Sequence, residues 1–437
     1  MRRLPAALLA LALPPTLVLT AGTAAAASDD TREPVVVPRA ATVTALAAPR
    51  TSLDPQQFAA AMTRTLTGTA TGSRYLGPAL SGLVVDPADG TVIWRHLDGR
   101  SRLPASAQKL LTAFTVLHSM PADAVLTTRV QQHPTARSRL YLRGGGDPTL
   151  TTTRIGALAT ATARRLAEQK RTRVTVHLDG SIFPVPTDAP GWKASYRRDV
   201  QAPQGLTLAG YRKPDGALAA GRLFVTALRA RGITATLATI TTTPAGTRQL
   251  ATTASAPVSR LVADMVNASR NDHAEFLLRH AALAQGRPAT WQGAAAHEIA
   301  VLRAAGVPLG GVRVVDGSGL SRLTRLTPAA AAAVVRLLWT TPTDRAILFA
   351  RNALPRAGLT GTLSTRYRTP QHACAAGQVT AKTGTLDDTV ALAGVAHGSD
   401  GRDRVFVFLE NGILGRNTAV RLAVDTLATT VVGCRLG

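Results

Sequence analysis

A change of texture constrains this chain most. From Pro121 to Ala256 it runs in short strands, turns and threonine-rich stretches, while long helical patterns stand on both sides. Before this stretch come "DPQQFAAAMTRTL", with Asp54 at a cap position and Pro55 in the first turn, and "ALSGLVVDPADGTVIWRHL", two β-rich runs around a turn at Pro87–Gly90. "SAQKLLTAFTVLHSM" follows, with Leu110, Leu111, Phe114, Leu117 and Met120 near helical spacing. After it come "APVSRLVADMVNAS", "DHAEFLLRHAALAQ" and "TPAAAAAVVRLLWTT", then strands at about 390–397 and 404–410 and a closing helix. The arrangement predicts one discontinuous α/β domain, residues 54–120 and 257–437, interrupted by an inserted, mostly β segment over 121–256 with an Ala-rich helix near 154–169. A chain of 437 residues has room for both cores.

The N-terminus has a basic start (Arg2, Arg3), an apolar run to Leu19 and small residues ending at Ala27. That order predicts a signal peptide over 1–27, a linker over 28–53, and an extracytoplasmic protein, secreted or wall-associated. A retained anchor is the alternative, against which Pro14 and Pro15 break the apolar run. Export puts the two cysteines, Cys374 and Cys434, in an oxidising setting, where one intramolecular pairing is available and is expected to form. The net charge of +24 favours polyanions. In an exported protein these would be anionic wall polymers or lipid head groups rather than nucleic acid, but arginine is spread along the chain and, with aromatics at 4%, no basic stripe interleaved with aromatic residues is present, so charge alone names no partner.

Arginine outnumbers lysine 45 to 5, so a position needing only positive charge is almost always arginine. Lys109 nevertheless follows Ser106 by three residues, and on a helix the two side chains share a face. A serine hydroxyl is a weak nucleophile until a base takes its proton, and a desolvated lysine can be that base. Alone, the pair also reads as a capping serine and a surface lysine. A second lysine opens Lys382-Thr383-Gly384, where a strand cation can meet a substrate carboxylate and a glycine lets substrate backbone lie close. Ser269 and Asn271, at the junction of two helical patterns, offer a hydroxyl to relay a proton and an amide to fix a substrate. The histidines follow no metal or triad spacing, and neither a metal nor a cofactor is expected.

In this order the three elements resemble those of the penicillin-recognising serine acyl-transferases, specifically the class C low-molecular-mass penicillin-binding proteins, the D-alanyl-D-alanine carboxypeptidase and endopeptidase family. "LRGGGDPTLT", "APGW", "VVDGSGLSRLTRLTP" and "LPRAGLTGTLSTRY" extend the likeness from about Asp54 to the C-terminus. The resemblance implies an antiparallel sheet flanked by helices, as in serine β-lactamases, and peptidoglycan stem peptides as substrate with β-lactams as covalent inhibitors. It implies Ser106 as nucleophile, Lys109 as base, Ser269 as proton relay, and Asn271 on the donor amide. Lys382 and Thr383 would bind the terminal carboxylate beside Gly384, with the N–H groups of Ser106 and Thr385 as the oxyanion hole. Leu320 and Arg322 would sit by the stem-peptide side chain, and Asp199 is the candidate for its ammonium. Asp316, Asp147 and His273 read as structural. Two other functions are alternatives: a non-catalytic basic wall-binding protein, and a β-lactamase or esterase on the same fold.

Overall fold

The computed structural model describes residues 53–350, 353–434 and 436. The expected signal peptide and all but the last residue of the linker lie outside the described residues. In chain order the elements are α1 (Pro55–Gly72), β1 (Ser81–Val85), β2 (Val92–His96), α2 (Gln108–Leu117), β3 (Thr127–Gln132), β4 (Arg139–Arg143), α3 (Thr152–Glu168) and β5 (Arg173–Asp179). Then follow α4 (Gly216–Arg229), β6 (Thr234–Ile240), β7 (Arg248–Ala254), α5 (Val258–Asn267), α6 (Asn271–Ala284), α7 (Trp291–Ala304), α8 (Pro328–Thr340) and α9 (Pro342–Leu348). The chain closes with β8 (Val379–Leu386), β9 (Thr389–His397), β10 (Asp403–Asn411) and α10 (Asn417–Val432).

The first sheet, ordered β2-β1-β10-β9-β8, is antiparallel throughout and joins strands from both ends of the chain. Helices cover both its faces, so its central strands are continuously apolar instead of alternating. Leu83, Ala391, Ala393, Val405 and Val407 face a core shared with α2, α5, α6 and α8. Val84, Leu392, Phe406 and Phe408 face one shared with α1 and α10. α1 starts as its sequence predicts: the Asp54 carboxylate accepts from the amides of Gln56 and Gln57 while the Gln57 side chain accepts from the Asp54 amide. Cys374 and Cys434 are joined by a disulfide across 60 residues of sequence.

The second sheet draws every strand from the stretch 127–254, in the order β6-β5-β4-β3-β7. It is mixed, with β4, β5 and β6 parallel and β3 antiparallel to both neighbours. Parallel strands need crossovers, and α3 and α4 supply them. Sequence reading expected one helix here and found a mostly β segment. The missed helix α4, "GALAAGRLFVTALR", carries Gly216 and Gly221, which lower its helical signal. Gly221 is needed because a Cβ there would lie 2.6 Å from Leu178, so packing against β5 overrides propensity.

α2 is buried on nearly every side, and two of its polar residues tie it to neighbouring elements. Gln108 donates to Glu298, and Thr112 donates to the Gly317 carbonyl at 2.8 Å. This fixes the helix that begins at the serine turn.

Candidate active site

Ser106 lies in a single 3-10 turn, Ala105–Ala107, that runs directly into α2. Its hydroxyl caps neither helix, which removes the capping alternative. The chain enters the turn through Ala105 at φ 46°, a region that L-residues avoid. Two glycines make room for this conformation. A Cβ on Gly319, itself at φ 78°, would overlap the Ala105 carbonyl oxygen, and one on Gly384 would stand 2.8 Å from the Pro104 oxygen and 3.1 Å from the Ala105 Cβ. The missing side chain of Gly384, expected beside the substrate backbone, also lets β8 seat against the serine turn.

Lys109 is fully buried, and its Nζ donates to three neutral acceptors. These are Ser106 Oγ at 2.8 Å, Asn271 Oδ1 at 2.8 Å and the Ser318 carbonyl at 2.9 Å. Burial pulls its pKa from the usual 10.5 to about 8, against the opposing charges of Glu275, Asp316 and Asp272. A neutral amine here can still donate to Asn271 and Ser318 while its lone pair meets the serine O–H. Position and proton affinity both fit a base for Ser106.

The Ser318 carbonyl was not anticipated, because its role depends on how its loop is held. Glu275 accepts from the amides of Gly317 and Ser318 at 2.9 and 2.8 Å. Asp316 accepts from Ser321 N, Thr324 Oγ1 and Trp192 Nε1 at 2.7 to 2.9 Å, as its structural reading predicts. Burial, with Asp316 adding, raises the Glu275 pKa to about 7, and burial holds that of Glu298 well above the usual carboxylate range.

Asn271 opens α6; its Oδ1 meets Lys109 and its Nδ2 donates to the Asp199 carbonyl at 3.0 Å. Ser269 sits two residues away at φ 56°, half-buried, with no side-chain hydrogen bond among the described residues. Lys382 is buried on β8, where its Nζ donates to the Thr383 carbonyl at 2.7 Å. Burial, reinforced by the charge of Lys109, holds its pKa well below the ordinary lysine value. Thr383 exchanges a hydrogen bond with Thr362 at 2.7 Å, and Thr385 is exposed.

Leu320 packs with Ala105, Tyr196, Val200 and Leu386 beside the serine turn. Arg322 is bound on both nitrogens by Asp388, at 2.8 and 2.5 Å, so a substrate carboxylate there must share or displace that partner. Asp388 was missed in the sequence, where only its place two residues beyond β8 hinted at it. Asp199 directs its carbonyl to Asn271 and its half-exposed carboxylate to Arg198 at 3.5 Å. Asp147 pairs with Arg154 at 2.8 Å, and His273 is buried, with burial pushing its pKa down to about 4.

The antiparallel sheet with covered faces and a half-buried serine bonded to a buried lysine at the head of a central helix define a penicillin-binding-protein fold. Penicillin-binding protein 4 of Haemophilus influenzae shares it with a TM-score of 0.72 at 19% identity, over 84% of this chain and 98% of that one, and has also been solved with a β-lactam bound. A family model described as D-Ala-D-Ala carboxypeptidase 3 (S13) matches residues 66–208 and 203–431. A carboxypeptidase of Mycobacterium tuberculosis is 35% identical over 92% of this chain and 90% of its own length. Carboxypeptidase DacB of Mycolicibacterium smegmatis is 33% identical over 82% and 81%. The chain belongs to the D-Ala-D-Ala carboxypeptidase 3 (S13) family and is an enzyme of that class.

Proposed function

We propose that this is an exported serine DD-peptidase that cleaves the D-Ala–D-Ala end of peptidoglycan stem peptides through an acyl-enzyme on Ser106. The observation that carries the reading is Lys109 Nζ standing 2.8 Å from Ser106 Oγ with only neutral partners. Neutral Lys109 takes the hydroxyl proton as Oγ bonds to the penultimate D-Ala carbonyl carbon. The oxyanion that forms is met by the N–H groups of Ser106 and Thr385. The C–N bond then breaks, and the leaving D-Ala amine receives its proton by way of Ser269. Water enters with Lys109 again as base, restoring the serine and releasing the shortened peptide.

Lys382 and Thr383 hold the terminal carboxylate, and that anion favours the charged form of Lys382. Asn271 takes the donor amide by releasing the Asp199 carbonyl. Leu320 and Arg322 line the side-chain site. A β-lactam follows the same first steps, but its leaving group stays tethered, so the adduct persists. Cross-links present the same scissile bond with a larger leaving group, which makes endopeptidase action part of the proposal. The N-terminal pattern supports export.

Incubation with a stem pentapeptide, with products read by mass, tests the reading. Release of one alanine supports it; a folded protein that leaves the pentapeptide intact overturns it. The rate should also depend on pH through Lys109. Below its pKa of about 8 the residue is an ammonium, so the acylation rate should rise about tenfold per pH unit from 6 to 7 and level off above about 8. A profile flat from pH 6 to 8 would exclude Lys109 as the base.

A further inference from the structure

The second sheet has one face that no described helix covers. α3 and α4 both pack on the face carrying Leu140, Leu142, Val174, Val176 and Leu178. On the other face β3 and β4 set Arg129 directly opposite Arg143, and β4 adds Arg139 next to Thr175. Arg173 lies one row further along the same side of β5, opposite Thr234 of β6. Directly opposed like charges on a sheet are destabilising, so this pairing has a cost.

Among the described residues that cost is offset only at Arg143, by an ion pair with Asp179. The five strands contain five arginines and one acid, Asp179. That acid is buried and accepts from the amides of Ser181 and Thr243, standing 3.7 Å from Arg143. Arg129, Arg139 and Arg173 make no side-chain hydrogen bond or ion pair with a described residue. Elsewhere Arg165, Arg197, Arg260 and Arg404 each hold a carboxylate, whereas Arg64, Arg164, Arg222 and Arg303 hold none among the described residues. Arg139, Arg143 and Arg173 are exposed and Arg129 half-buried.

We propose that this open face docks an extended poly(alditol phosphate) chain. Strands lie about 5 Å apart, and Arg139 and Arg143 about 13 Å apart along β4, so a chain running along β4 meets the Arg129–Arg143 pair at one end and Arg139 with Arg173 at the other, while across the sheet the residue after Arg143 is Asp179. Guanidinium forks bind phosphate oxygens in pairs. The rings on the face are occupied with one another. Tyr141 is buried between the half-buried His133 and His177, with ring centroids 6.4 and 5.3 Å away, so among the described residues this face carries no fully exposed aromatic ring for a base or a sugar to stack on. An acyclic phosphate backbone needs none.

The test is binding of the full chain to linear poly(glycerol phosphate) between about 50 and 200 mM salt. The quadruple variant Arg129→Gln, Arg139→Gln, Arg143→Gln, Arg173→Gln is compared with a control of equal charge, Arg64→Gln, Arg164→Gln, Arg222→Gln, Arg303→Gln. The face variant should bind at least tenfold more weakly, with a slope of log K against log salt reduced by about three, while the control stays within about twofold. Thermal unfolding should show the face variant still folded, with loss of the Arg129–Arg143 repulsion set against loss of the Arg143–Asp179 ion pair. Should it unfold, the double variant Arg139→Gln, Arg173→Gln carries the comparison, with about half the slope change expected. Equal losses in both charge sets would overturn the site, as would no measurable wild-type binding. Tighter binding of single-stranded DNA or polygalacturonate of matched charge would overturn the ligand class.

Discussion

Replacing Lys109 by arginine is expected to slow acylation of the protein by a fluorescent penicillin about a thousandfold or more, without removing the positive charge. Arginine does not lose its proton in a protein, so it cannot serve as a base. The geometry makes this a test of proton transfer. Lys109 has three acceptors and, among the described residues, no ion-pair partner, so the site holds it by hydrogen bonds that an ammonium or an amine can make. Lys109→Met keeps the side-chain length, removes the base and should fail to the same degree. A Lys109→Arg protein that labels at a tenth of the wild-type rate would show that charge alone suffices, and the base would have to be found elsewhere.

The largest loss of stability is expected from Gly319→Ala in "DGSGLSR". The residue is at φ 78°, and its missing Cβ is where the Ala105 carbonyl lies. Alanine pays a left-handed backbone penalty of about 1–2 kcal/mol and in addition forces the serine turn away. A total of about 4 kcal/mol or more is expected, lowering Tm by roughly 8–15 °C and reducing acylation with it. Gly306→Ala is the control, because Gly306 is at φ 74° with open space around it and should show the backbone penalty alone. Equal, mild effects of both substitutions would mean that contact with the serine turn does not set the cost at Gly319.

These two residues also show which features were legible in the sequence. Lys109 stood out because lysine is rare here, and the order Ser106–Lys109, Ser269–Asn271, Lys382–Thr383–Gly384 placed it in a known chemical pattern. Helices with one strongly apolar stripe, and the continuously apolar strands β9 and β10, could be read locally. α4 could not, since its glycines are explained only by contact with β5. The Ser318 carbonyl is a backbone group, and no side-chain pattern announces it. The commitment of Arg322 to Asp388 joins loops 66 residues apart, and Glu275 reaches the Lys109 site only by holding the Gly317–Ser318 amides. Such pairings are set by tertiary packing, which brings together groups that are far apart in sequence.

The same distinction separates the catalytic reading from a non-catalytic wall-binding one. A retired groove has no use for a lysine whose pKa burial has pulled to about 8, whereas the cationic sheet face would serve either protein.

The most direct measurement is the intact mass of the protein after exposure to a fluorescent penicillin, for the wild type and for Ser106→Ala. The wild type should gain the mass of one penicillin, with the adduct mapped to the peptide carrying Ser106, and Ser106→Ala should gain nothing. A folded wild type that stays unmodified, or a Ser106→Ala protein that still takes up one equivalent, would contradict acylation at Ser106.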